Sequence, residues 1–411
     1  MLSILHPEVM PSIIGLPCGF LPLDVTNDGK PILAIKLPKE YLLAAKSNLG
    51  FKIYVAPIIA DDQRTVGLVS AFFDDEDEPL VLRTQLPDDA GIYKLRKMLL
   101  HSELDVYFFD DNNREFLAYQ AELHCPSTTR TRFENALLLP LKLDPTELGA
   151  FDDQLRRWFG TRSQEEDDLA IKVSFKLALV PDDIFVMDLN PQNHAYNGAP
   201  AFSHSELIRE HPGGFQERDI AGLLHRIFLP EQIYLNPLKV TDGKEITDIL
   251  VISDRNALFI QAKDSPNTEL VMRNPLQRKR TAAQKALTKA LSQTRGALRY
   301  ARSMTPMKIV VANETFDIDL EQLEIRALVI VKELFNDEYA SYTPPFISLL
   351  DETGVACIPL DYSEFVAYTT HLEDEAQFFD AFDRVFAHGL STKMFPRLRL
   401  WPNEMLESES Q

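Results

Sequence analysis

Residues 246–263 read ITDILVISDRNALFIQAK: one acid, Asp248, opens an apolar run, and a Gln-Ala-Lys triplet, Gln261 to Lys263, closes the next. Apolar strands normally exclude such groups, because burying a charge without a partner is costly. Residues two apart on a strand share a face, so Gln261 and Lys263 point with Phe259, and Asp248 points with Ile246 and Leu250. A hairpin turning at Ser253-Asp254-Arg255-Asn256 lays the two runs side by side and brings Asp248, Gln261 and Lys263 to one end of a sheet. Glu217, on the margin of the apolar stripe of the preceding helix FQERDIAGLLHRIF (215–228), can lean toward the same end. Glu245 is a rival acid, expected to face away from Asp248 on a regular strand. Two carboxylates, an amide oxygen and a lysine suit one kind of chemistry. Hard oxygen donors hold Mg²⁺, which keeps several waters and shares substrate phosphate. The lysine is a point charge for a phosphate or an attacking water, and a bound metal activates that water and offsets phosphate charge.

Glu217, then Asp248, then Gln261-Ala262-Lys263 with twelve residues between Asp248 and Gln261, resembles the PD-(D/E)XK nuclease superfamily, most of all its Mrr-like, QxK-bearing branch. The resemblance covers about residues 205–390 and departs from the commonest form at Gln261, where Glu is usual. It implies a restriction-endonuclease-like α/β domain, a mixed sheet flanked by helices. Asp248, Gln261 and Glu217 would hold Mg²⁺, or Mn²⁺ in its place, and Lys263 would complete the catalytic set. It further implies cleavage of DNA in prokaryotic host defence, as restriction or anti-phage immunity. The rival reading is a weak or inactive nuclease fold that binds nucleic acid or assembles a complex.

The elements that must position these groups follow the hydrophobic pattern. A long helix over roughly 276–303 places Ala283, Leu287, Ala290, Leu291, Thr294, Leu298 and Ala301 on one side and most of its basic residues on the other. Residues 271–310 hold ten Lys and Arg and no Asp or Glu, inside a chain of net charge −20. Such a stripe suits a polyanion; Arg278, Lys279, Arg280, Lys285, Lys289 and Gln293 are the residues expected to meet nucleic acid. IRALVIVKEL (325–334) and GVACIPLD (354–361) read as buried strands, and EDEAQFFDAFDRVFAHGL (373–390) as a helix with Phe378, Phe382 and Phe386 in one row. The order helix, hairpin, helix, strand, strand, helix indicates a layered α/β domain over 215–400.

Residues 1–190 read as a separate strand-rich α+β domain that recognises a partner or controls access to DNA. The apolar, Pro-interrupted start is taken as its first strands, AGIYKLRKMLLHS (90–102) and 143–160 as helices, and residues 104–123 as a hairpin about Asp-Asp-Asn-Asn. In LAIKVSFKLALV (169–180), Ile171, Val173, Phe175, Leu177 and Leu179 share a face. The acidic runs 74–78 and 165–168 read as exposed loops and as possible intramolecular partners for the basic helix. The Asn-, Pro- and Gly-rich stretch 191–214 reads as the linker, and its His194, His204 and His211 lack metal-ligand spacing.

Three scattered cysteines without a CxxC pair fit a reducing, cytoplasmic compartment, and no apolar run reaches membrane-spanning length. The chain has no GxSxG, HExxH or P-loop, so an ATP-driven step would belong to a partner, an ATPase or helicase. A homo-oligomer is a further expectation.

Overall fold

The computed structural model describes residues 1–60, 63–74, 79–138, 145–181, 183–335 and 338–395. It is a mixed α/β structure with two large mixed sheets. The first sheet comprises β1 (Gly19–Asn27), β2 (Lys30–Lys36), β3 (Gly50–Ala60), β4 (Gln63–Phe72), β5 (Leu80–Thr84), β6 (Glu103–Phe109), β7 (Glu115–His124) and β8 (Ile171–Ala178). Its order is β1-β2-β6-β7-β8-β3-β4-β5, antiparallel throughout except for β2 against β6. The β6–β7 turn uses the expected Asp-Asp-Asn-Asn chemistry. Asp110 accepts from the backbone N–H groups of Asn112 and Arg114, and Asn113 takes φ +62°, a conformation Asn tolerates well.

A two-stranded ribbon follows, β9 (Phe185–Asp188) with β10 (Ser203–Glu206). The second large sheet comprises β11 (Ile233–Leu235), β13 (Ile249–Ile252), β14 (Asn256–Lys263), β17 (Glu324–Val331) and β18 (Ala356–Asp361), in that order. A small side sheet joins β12 (Leu238–Lys239), β15 (Met307–Val311) and β16 (Glu314–Ile318). Within the second sheet β11, β13 and β14 are antiparallel, whereas β14, β17 and β18 are parallel. β14 is therefore a central strand, and Ala257 through Ala262 are all buried. Such a strand reads as a continuous apolar run because helices cover it.

The helix Leu276–Ala301 packs on β14 and β17 through Leu287, Ala290, Leu291, Thr294 and Leu298, the stripe its sequence spacing predicts. The helix Glu375–Thr392 buries Phe378 and Phe382 and starts at Asp374, whose carboxylate accepts from the Gln377 N–H.

Several expectations need correction. Residues 2–15 form short helical turns rather than strands, with Pro7 and Pro11 in their first turns, where a missing N–H is harmless. The alternation of β8 holds only to Phe175. Gln120 pairs with Leu177 and Ala121 with Phe175, so a bulge at Lys176 turns Leu177 outward, 59% exposed. The run 165–168 lies in a short helix, where Glu166 pairs with Arg132 and Asp167 with Arg162 rather than with the basic helix. Of 74–78 only Asp74 is among the described residues, and it is buried rather than exposed. The segment 191–214 contains β10 and buries Leu207 in the core of the first sheet, so it is packed structure. Among the described residues, no helix is long and apolar enough to cross a membrane.

Candidate functional site

The β13–β14 hairpin turns where expected, with the Ser253 N–H on the Asn256 carbonyl and Ile249 opposite Ile260. Continuing that register places Asp248 across from Gln261. Asp248 is buried, and one of its oxygens, Oδ2, accepts from the Ala262 N–H at 2.5 Å and from Lys263 Nζ at 2.9 Å. Lys263 Nζ also donates to the Ala262 carbonyl at 2.7 Å and to Gln261 Oε1 at 3.3 Å. Three oxygens of three kinds thus grip one cation, here the ammonium of Lys263. The structure brings Asp248, Gln261 and Lys263 together.

Glu217 joins them from the first turn of the helix Phe215–Leu224, which Gly214 enters at φ +77°. Its Oε2 accepts from Asn236 Nδ2 at 3.3 Å. Burial raises the Glu217 pKa, and the Asp248 carboxylate raises it further. Asn236 itself donates its backbone N–H to the Asp248 carbonyl at 2.9 Å and takes φ +50°. The dipeptide Asn236-Pro237 is a turn signal that could have found this residue.

Glu245 overturns its expectation. β13 begins only at Ile249, so strand parity does not govern Glu245. It belongs instead to a tight side hairpin, bridged to Leu238, with the Ile246 N–H on the Pro237 carbonyl. Although the residue is exposed overall, its carboxyl is turned onto Asp248. Surrounding protein raises its pKa to about 8, with the Asp248 hydrogen bond and charge adding to the effect. The cluster therefore holds three acids against one base.

The amide at position 261 has a local cause. The Thr247 hydroxyl donates to the Ile260 carbonyl at 2.7 Å, which leaves only its lone pairs for Gln261. Gln261 Nε2 donates to that oxygen at 3.1 Å, and this network sets which way the amide faces. A Glu here would set a carboxylate oxygen against those lone pairs. Thr247, fully buried, is thus a positioning residue that sequence spacing did not single out.

The basic helix divides. Arg278, Lys285, Lys289 and Gln293 are exposed, and the last three line an open groove with Thr281 and Thr288. Lys279 instead pairs with Asp74, the intramolecular partnership expected of the acidic run, and Arg280 lies 3.8 Å from Glu338. Those two cations are occupied within the molecule. Gln293 lies on this groove, not at the acid cluster.

Among the described residues, no group of three or more His, Cys, Asp or Glu side chains is disposed to hold a metal ion, and that includes Asp248, Glu217 and Glu245 as they stand. The donor chemistry nevertheless fits a hard cation. Asp248, Gln261 and the Ala262 carbonyl converge on the positive charge of Lys263, and Glu217 and Glu245 carry raised pKa values that added positive charge would relieve. No protein-family model matches the chain, and no curated protein matches it.

Proposed function

We propose that this chain is a Mg²⁺-dependent nuclease of the PD-(D/E)XK type that hydrolyses DNA phosphodiesters. The observation that carries the reading is the convergence of Asp248, Gln261 and Lys263, joined by Glu217 and Glu245, at the end of a hairpin whose second strand is central to a mixed sheet. The strand order β11-β13-β14-β17-β18 with its covering helices is compatible with a restriction-endonuclease-like domain. In this reading Asp248, Gln261 Oε1, the Ala262 carbonyl and a nearby acid, Glu217 or Glu245, would hold the metal. When bound it would lower the pKa of a water and offset charge on the scissile phosphate. Lys263 exchanges Asp248 for a phosphate oxygen or the attacking water. Arg278, Lys285 and Lys289 track the backbone of the nucleic acid. A role in defence against foreign DNA, with a protein partner driving any ATP-dependent step, follows from the resemblance and stands as part of the proposal.

Cleavage of plasmid and linear DNA with Mg²⁺, against the same reaction in EDTA, tests the reading. Asp248→Asn and Lys263→Ala should each lower the rate about 100-fold or more, while circular dichroism stays that of the wild type. If Asp248→Asn cuts like the wild type, the site is misassigned. Tight DNA binding without metal-dependent cutting by the wild type would favour the alternative, a nucleic-acid-binding or assembly subunit. The pairing of Lys263 with Asp248 and the engaged amide of Gln261 are compatible with that alternative.

A further inference from the structure

β14 and β17 run parallel, with Lys263 opposite Val331, and they end together. Ligands of open α/β sheets collect beyond the carboxyl ends of such strands. A cavity of about 300 Å³ lies there. Lys263 and Glu333 stand on its strand side, Ala283 and Ala286 on its helix side, and Leu80 of β5 closes it from the first sheet. Sites for small molecules begin at about this volume, so the space suits one nucleoside-sized body and no duplex. It shares Lys263 with the acid cluster.

The charged groups around this space are almost all occupied. Lys279 is on Asp74, Lys332 on Glu40 at 3.2 Å, Asp264 on Arg209 at 3.1 Å, and Lys263 on Asp248. The side chains of Glu333 and Arg278, by contrast, make no hydrogen bond or ion pair with any described residue. Burial, reinforced by the Glu40 charge, pushes the Glu333 carboxyl up to about 7, as expected of an acid without a partner. An occupant that pairs both groups offers hydrogen-bond donors at one point, negative charge at another, and an apolar body between them. A simple cation would satisfy Glu333 but leave Arg278 and the apolar walls of Ala283, Ala286 and Leu80 without a counterpart. A neutral donor edge with an anionic tail meets both demands.

We propose that the cavity binds one nucleotide unit, with the base between the alanines and Leu80, its N–H edge on Glu333, and its phosphate toward Arg278. A free carboxylate accepts two parallel N–H bonds. Guanine offers such a pair at N1 and N2, so guanine is the preferred base. The nucleotide comes either from a strand presented to the neighbouring acid cluster, by extrusion of one residue, or as a free mononucleotide. The strand source rests on the nuclease reading; binding of the free nucleotide does not.

Calorimetric titration of the full chain with dGMP, dAMP, dCMP and TMP, in EDTA so that no cleavage occurs, reads the cavity directly. We expect dGMP to bind most tightly, and Glu333→Gln and Ala283→Phe each to weaken it about tenfold or more. Glu333→Gln is close to isosteric, so it remains informative if Ala283→Phe disturbs the fold. A duplex carrying 2-aminopurine adds the second arm. A rise in its fluorescence with the wild type, lost in Ala283→Phe, identifies the strand as source, whereas dGMP binding without that rise identifies the free nucleotide. Absence of both signals, or dGMP binding that neither substitution alters, overturns the proposal. Cleavage is scored separately with Mg²⁺. Nucleotide binding without cleavage sinks the nuclease reading and leaves the cavity standing, and cleavage without nucleotide binding does the reverse.

Discussion

At the junction of the two sheets, Arg114 donates to both oxygens of Asp219, at 2.8 and 2.5 Å. At the end of β14, Lys263 meets one oxygen of Asp248 while Glu217 and Glu245 crowd the same space without a cation of their own. Both places gather acids around a base. At the junction the charges close on one another. Around Asp219 burial alone would raise the pKa, and the Arg114 guanidinium overrides it and holds the value at about 2. Lys39 lies 3.5 Å from Asp110, and Lys332 3.2 Å from Glu40. At the site the balance is left negative, and the acids respond with raised pKa values. The difference separates a clamp between the sheets from a place that gains by accepting a cation. Residue type alone does not distinguish them; completeness of pairing does.

The sharpest test makes the same chemical change in both places. Asp219→Asn removes the anion that grips Arg114 through two bonds and leaves only Asp110 at 3.7 Å, and breaking a buried pair in this way costs about 3–5 kcal/mol. Asp248→Asn keeps an acceptor for the Ala262 N–H and relieves the crowding of three carboxyl groups, so it should change stability by less than about 1 kcal/mol. Urea unfolding of the two variants measures both. Equal losses would erase the distinction between clamp and site.

Much of the site was legible in the sequence because a hairpin with a known turn and a period of two fixes which residues meet. Asp248, Gln261 and Lys263 follow from that register alone. Glu245 escapes strand parity because it lies beyond the start of β13, in a side hairpin that no local pattern announces. Leu177 failed for a related reason, since one bulge reverses every later side chain. The strands β17 and β18 and the long basic helix were plain from their apolar runs and stripe. The junction was scarcely visible. Lys39, Asp110, Arg114, Asp219 and Lys332 are distant in sequence and look like ordinary surface charges until the two sheets meet. The partnership of Lys279 with Asp74 was foreseen only as one of two fates for the basic helix.

That helix repeats the comparison on a smaller scale. Lys279 is closed on Asp74, and Lys285 and Lys289 are open to the groove. Reversing Lys285 and Lys289 to Glu should weaken DNA binding about tenfold at moderate salt and flatten the slope of log affinity against log salt by about 2, one phosphate contact for each lysine. The fold should be unaffected. Lys279→Ala should leave that slope alone and lower the thermal midpoint. Fluorescence anisotropy across salt concentrations separates the two, and an unchanged slope in the double reversal would remove the groove from the nucleic-acid path.

The smallest effect probes the exception within the clamp itself. Asp111 lies beside Asp110 at the junction, and burial, followed by the charges of Asp110 and Glu40, raises its pKa from the usual 3.8 to about 8. Asp361 adds to this, and a hydrogen bond from Ser363 opposes it. The native state therefore keeps a proton that the unfolded chain has already released between pH 4 and 8. Stability contributed by this group must fall as pH rises through that window. Asp111→Asn fixes the neutral form at every pH. It should gain about 1 kcal/mol over the wild type at pH 8, allowing for partial solvent access, and nothing at pH 4. Glu245 and Glu333, with pKa values of about 8 and 7, slope the same way, so the difference between variant and wild type isolates Asp111 from them. Urea midpoints at pH 4, 6 and 8 supply that difference. A constant offset across the three would mean that Asp111 is paired as firmly as Asp219, and the clamp would then contain no carboxyl group that stays protonated at neutral pH.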